Sequence, residues 1–98
     1  RIVLDFRVNG AIMGSEIAAP ADATNTIEAE VAGTAPLQRL ELVRDGEVIA
    51  VKQDGTGDMS DSFRVEDAGA AGSCFYYLRV FQSDGEMAWS SPVWVDPE

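Results

Sequence analysis

The stretch Cys74-Phe75-Tyr76-Tyr77-Leu78-Arg79-Val80-Phe81 decides how this chain folds. Cys74, Tyr76, Leu78 and Val80 alternate with Phe75, Tyr77, Arg79 and Phe81. A period of two puts the two sets on opposite faces of a strand, because successive side chains of an extended backbone point to opposite sides. Aromatic and β-branched residues suit a pleated, packed surface. The first set reads as the inward face.

Working outward, the same period recurs. Ser83-Asp84-Gly85-Glu86 is a turn, and Met87 to Val95 returns as a last strand. Pro92 within that run predicts an edge position or a bulge, since proline offers no N–H to a ladder. Trp89 shares a face with Met87, which fits core packing. Upstream, Ala68 to Gly72 reads as a flexible connection, and Met59 to Glu66 as a strand with Phe63 and Val65 on one face. Leu37 to Arg44, Asp45-Gly46 and Glu47 to Gln53 form a hairpin, because Asp-Gly tolerates the positive φ of a two-residue turn. Leu40 and Leu42 share a face; Val48 and Ala50 share another, with Ile49 and Val51 opposite. Gly33 to Pro36 ends a strand in which Ile27, Ala29 and Val31 face in and Glu28 and Glu30 face out. Ala18 to Asn25 reads as a loop. Ile2, Leu4, Phe6 and Val8 mark the first strand, closed by Asn9-Gly10. Seven short strands with turn signals between them, and no helical period, predict an all-β, seven-stranded antiparallel β-sandwich.

Composition narrows what such a domain does. Ninety-eight residues make one domain, residues 1–98, able to bury roughly 65% of the surface of its unfolded chain. Seven Lys and Arg stand against 17 Asp and Glu, a formal charge of −10. That sign disfavours nucleic acid and anionic membranes, which are held by cations. There is no histidine, hence neither the commonest acid–base group nor the commonest zinc ligand. The single cysteine forms no internal disulfide and leaves the compartment open. No apolar run is long enough to span a membrane as a helix. The opening Arg1-Ile2-Val3-Leu4 is already strand-like and has no initiator Met. It reads as a fragment boundary or processing site within a longer protein.

Candidate sites are few. Asp54, Asp58 and Asp61 lie on or beside a Gly-kinked acidic loop and are the best calcium candidates, although the spacing lacks the third- and twelfth-position ligands of an EF-hand. A solvated turn is the plainer reading. Ser15 after Gly14 gives only half a nucleophile elbow with no base to serve it. Gly55-Thr56-Gly57 lacks the rest of a dinucleotide fingerprint. Lys52, the only lysine, reads as solvent-facing. Cys74 lies on the apolar face and reads as an inert buried thiol. The chain carries no catalytic residue and calls for no cofactor.

The outward face of the decisive strand is the sharper feature. Phe75, Tyr77 and Phe81 make it apolar, and Trp94 joins them if Val93 and Val95 face in. Either the chain's own loops cover this face, or it docks on something else. Tyr77, Trp89 and Trp94 could also stack on sugar rings.

Two resemblances add to this. Tyr76-Tyr77-Leu78-Arg79-Val80 with Asp84-Gly85 and Ser90-Ser91-Pro92-Val93 resembles the last two strands of immunoglobulin-like and fibronectin type III-like sandwiches. Tyr76 matches the inward tyrosine whose hydroxyl caps a neighbouring connection there. The paired cysteines of antibody domains are missing. Phe6-Arg7-Val8-Asn9-Gly10, Met13-Gly14-Ser15-Glu16, Leu40 to Gly46, and the closing run Phe75 to Val80 with Ala88 to Val95 together resemble something more specific. That is the C-terminal immunoglobulin-like tail of bacterial proteins related to the polymerase and histidinol phosphatase (PHP) metallohydrolases. The resemblance implies a non-catalytic accessory domain that packs on or positions a metal-dependent hydrolase domain of the same chain. The partner would be that preceding domain or a second copy. A ligand-binding module for carbohydrate or calcium, on a bacterial cell-surface or secreted protein, is the alternative.

Overall fold

The apolar alternation builds two sheets facing one another in a computed structural model that describes residues 2–20, 24–53, 58–68 and 72–97. The described elements are all strands: β1 (Val3–Val8), β2 (Ala11–Ile12), β3 (Glu16–Ala19), β4 (Asn25–Ala32), β5 (Leu37–Arg44), β6 (Glu47–Lys52), β7 (Ser60–Asp67), β8 (Cys74–Gln82), β9 (Met87–Trp89) and β10 (Val93–Pro97). The smaller sheet runs β2-β1-β4-β7 and the larger runs β3-β10-β8-β5-β6, with β9 also paired to β8. The architecture is the β-sandwich expected, of the immunoglobulin-like kind.

The core lies between the sheets. Phe6 and Val8 of β1, Ile27, Ala29 and Val31 of β4 and Phe63 of β7 meet Leu40 and Leu42 of β5, Cys74, Tyr76, Leu78 and Val80 of β8, and Val93 and Val95 of β10. Strand β8 alternates buried and half-buried along its whole length.

Several local expectations are corrected. Residues Ala18 and Ala19 are in a strand rather than a loop, because Gly14, at φ +92°, turns the chain from β2 into β3, and Asn25 opens β4 through its pairing with Asp67. Strand β3 then crosses to the larger sheet and pairs in parallel with β10, Trp94 opposite Glu16 and Val95 opposite Ile17. The sandwich is therefore not wholly antiparallel. The last predicted strand is two: β9 stops at Trp89 and β10 starts at Val93, with Pro92 between them. A bulge also interrupts β5–β6. Leu42 pairs with Ala50 but Val43 pairs with Val48, leaving Ile49 extra. Val48 and Ala50 thus take opposite faces, since one inserted residue reverses the alternation.

Turn chemistry follows the sequence closely. Asn9-Gly10 and Asp45-Gly46 both hold positive φ at their two central residues, 51° and 82° in one and 52° and 83° in the other. That is the mirror-image turn whose twist matches a hairpin. Asp45 also accepts a hydrogen bond from the Phe75 N–H at 3.0 Å, tying the β5–β6 hairpin to the start of β8.

Candidate functional site

The outer faces of the two sheets differ in chemistry. On the smaller sheet, Arg7, Glu28 and Arg64 form one cross-strand row, and Asp5, Glu30 and Ser62 form the next. These side chains line a shallow polar depression, with Arg7 paired to Asp5 at 2.9 Å. Mixed exposed charge of this kind is a solvated face.

The larger sheet is aromatic on its outside. Phase along β8 sets Phe75, Tyr77, Arg79 and Phe81 outward, because Tyr76, Leu78 and Val80 fill the core. Register then brings partners beside them. Trp94 stands opposite Phe75, their ring centroids 4.8 Å apart and tilted by 41°. Tyr77 stacks with Phe75 at 6.3 Å and 7°. Val43 stands opposite both Tyr77 and Val48, and is fully buried although it lies outside the inner core cluster. Arg39 faces Phe81 with its guanidinium carbon 4.5 Å from the ring centroid, a cation–π contact.

Arg79 lies between Glu41 on β5 and Trp89 on β9. Trp89 is thus on the outer face and 60% exposed, which corrects its assignment to the core. Trp94 is 43% exposed, and Val48, Val51 and Met87 are open as well. The four expected surface residues Phe75, Tyr77, Phe81 and Trp94 share this face, joined by Trp89. Phe75, Tyr77 and Phe81 are half-buried by their neighbours.

A charged cluster sits within the aromatic field. Glu41 is only 8% exposed, with Arg39 at 3.1 Å on one carboxylate oxygen and Arg79 at 2.8 Å on the other. The contacts are ionic: Arg39 Nε–H and Glu41 Oε1 have no aligned hydrogen-bond partner, and neither has Arg79 Nε–H.

A second polar cluster spans the two sheets at one end of the core. The Tyr76 hydroxyl donates to Asp67 Oδ2 at 2.7 Å and accepts from Asn25 Nδ2 at 3.0 Å. Arg44 Nη1 meets the same Asp67 oxygen at 2.6 Å, and Asn9 Nδ2 donates to Asn25 Oδ1 at 2.9 Å. Burial, and then the bond to the Asp67 carboxylate, push the Tyr76 hydroxyl well above the usual phenol range, against an opposing bond from Asn25. The hydrogen bond to Asp67 also raises the Arg44 guanidinium. A tyrosine so held stays protonated and fully partnered near neutral pH. The cluster is a lock between sheets, reached here through an aspartate side chain.

Of the calcium candidates, Asp54 lies outside the described residues. Asp58 accepts from the Leu37 N–H at its backbone carbonyl, 2.8 Å. Asp61 Oδ1 takes the Lys52 ammonium at 2.8 Å and the Ser62 N–H at 2.8 Å. Lys52 therefore bridges β6 to β7 across the sandwich edge, with 39% of its side chain still open to solvent. Among the described residues no cluster of three or more His, Cys, Asp and Glu side chains could hold a metal ion. Among them, too, no helix is long and apolar enough to cross a membrane. Cys74 is buried.

Fold and connectivity define a β-sandwich of the immunoglobulin-like class, close to the fibronectin type III-like form. Among solved structures, the chain is similar to a fibronectin(III)-like module of CbhA from Clostridium thermocellum, with a TM-score of 0.59. That match has 19% identity and covers 86% of this chain and 87% of the other; it speaks to fold alone. No family model matches the sequence. An uncharacterized protein of Chlamydia pneumoniae is 39% identical over 110 aligned positions, covering 98% of this chain. An uncharacterized protein of Chlamydia trachomatis is 36% identical over the same span. The chain spans 18% of the length of each of these curated relatives, so its counterpart there is one segment of a longer polypeptide.

Proposed function

We propose that this chain is a non-catalytic accessory domain that packs on or positions a neighbouring domain of its parent protein. The outer aromatic face of the larger sheet is the observation that carries this reading. A solvated sheet face is normally polar, as the smaller sheet's largely is, with Val3 and Ile12 its only large exposed apolar side chains among the described residues; this one holds two exposed tryptophans, three further aromatics and Met87. Covering the open part of Trp89 alone would contribute on the order of 2–3 kcal/mol. The neighbour implied by the resemblance is a PHP-like metal-dependent hydrolase, which would hold the metal and the chemistry. The length of the chlamydial relatives leaves ample chain for such a domain.

The test is made in the full-length parent. Trp89→Ser and Trp94→Ser remove exposed rings and leave the core intact. Docking predicts a lower melting temperature for the parent, or a second transition as the two domains uncouple. A parent whose melting and activity are unchanged in the double variant would falsify the reading.

The exposure of Trp89 on the same face as Tyr77 and Trp94 favours a second reading, carbohydrate binding there. A glycan array probed with the parent protein separates the two: binding that disappears in the tryptophan variants supports the sugar.

A further inference from the structure

The charge buried in the aromatic face says more about the partner. Arg39 and Arg79 share one carboxylate, Glu41, so the centre of the face carries one net positive charge. The chain as a whole carries −10. The other acids aligned on this face by register, Glu16 and Asp96, stand at its β3–β10 margin. Both side chains keep exposed surface, 38% for Arg39 and 30% for Arg79, although their Nε atoms are buried, amid Phe81 and Trp89. An aromatic surround lowers the local dielectric, so an opposite charge brought there is held more strongly than in water. Guanidinium offers a fork of donors matched to a carboxylate.

We infer that the surface docking here presents an aspartate or glutamate carboxylate, set among apolar side chains, over Arg39 and Arg79. This rests on the docking reading above and names the chemistry of the partner. Size agrees: five strands about 4.8 Å apart and a nine-residue central strand give a face of roughly 600 Å², near the ~800 Å² per side of a stable interface. A second copy is the poorer occupant. It would bring another −10 and, across a two-fold axis, oppose one positive centre to another. The valines and Met87 extend the apolar field beyond the rings, which suits a protein surface better than a sugar chain.

Two measurements on the full-length parent test this. Hydroxyl-radical footprinting of the unmodified protein reads whether the face is covered. Oxidation of Trp89 and Trp94 several-fold slower than that of open tryptophans is expected; oxidation at the open rate overturns docking and this inference together. Arg39→Lys and Arg79→Lys then keep the charge and supply an amine for zero-length carbodiimide coupling, against a background of one native lysine in this domain. Each new amine is expected to join an Asp or Glu outside residues 1–98. Coupling only to Glu41, or to an acid within these residues on a second copy, overturns the carboxylate while protected tryptophans still uphold docking. Protection that appears only when a polyuronate is added overturns it in favour of an acidic saccharide.

Discussion

Tyr76 in β8 and Asp67 at the end of β7 belong to opposite sheets, and a 2.7 Å hydrogen bond between them joins the layers at the β7–β8 connection. Tyr76→Phe keeps the ring and removes the hydroxyl. Asn25, also buried, then loses the acceptor for its amide. An unpaired buried donor costs about 1–3 kcal/mol. At about 4–8 °C per kcal/mol for a domain of this size, melting should fall by roughly 5–20 °C.

The same hydroxyl predicts an alkaline limb. Its folded pKa is raised above the ordinary value of 10.0, chiefly by burial and then by Asp67. The native state therefore holds the proton that the unfolded chain releases. This stability is fully present below pH 10 and is lost as pH rises from there toward the folded value, by up to about 1.4 kcal/mol per pH unit. Urea midpoints measured from about pH 8 to pH 12 should drop steeply past 10 in the native protein and less steeply in Tyr76→Phe.

Ser90 repairs the ladder where β9 and β10 part. Its hydroxyl accepts from the Leu78 N–H at 2.8 Å, and its own N–H donates to the Leu78 carbonyl at 2.9 Å. Ser90→Ala strands a buried backbone donor, and a loss of about 1–3 kcal/mol is expected by denaturant titration. Ser91→Ala, one residue on, should be close to neutral.

Gly33 lies against Gln82. A Cβ at position 33 would stand 2.5 Å from Gln82 Oε1, and 3.0 Å from both the Ala35 carbonyl and Leu37 Cδ2. Gln82 cannot swing away cheaply, since it is buried and bonded to the Thr34 N–H at 2.8 Å and to Asp84 at 3.1 Å. Gly33→Ala should destabilise by about 1–3 kcal/mol through overpacking. Gly46→Ala meets no such wall and should cost about 1 kcal/mol through its positive φ alone.

Lys52 gives a smaller, salt-sensitive effect. Its side chain is 39% exposed, so its pair with Asp61 is partly screened. Lys52→Met should cost no more than about 1 kcal/mol, and the difference from the native protein should shrink in high salt.

The sandwich was legible because the inward residues of β4 and β8 obey a period of two without interruption. Ile27, Ala29 and Val31, and Tyr76, Leu78 and Val80, all lie where the alternation put them. Errors arose where pairing resets that phase. Ile49 carries no local mark of a bulge; only its partners Leu42 and Val43 reveal it. Trp89 and Val93 are an even number of residues apart, and an unbroken strand would point them the same way. The break at Ser90 to Pro92 turns Trp89 outward and leaves Val93 in the core. Strand β3 was hidden because a four-residue edge strand needs little apolar pattern when its pairing comes from β10. At the candidate site, Phe75, Tyr77, Phe81 and Trp94 were readable from alternation. The Arg39–Glu41–Arg79 cluster was not, because it depends on cross-strand register and on a shift between Leu37 and Arg39.

The parallel pairing of β3 with β10 has a mechanical side. Drawing back the leading end of β3 and pulling forward the trailing end of β10 slides two aligned strands past each other. The contacts from Glu16–Trp94 to Ala19–Pro97 then bear load together instead of opening in turn. A hairpin pulled at its open end peels bond by bond. Within a longer polypeptide under tension, this edge would act as a shear clamp that yields late, and it would hold the aromatic face in shape until it does.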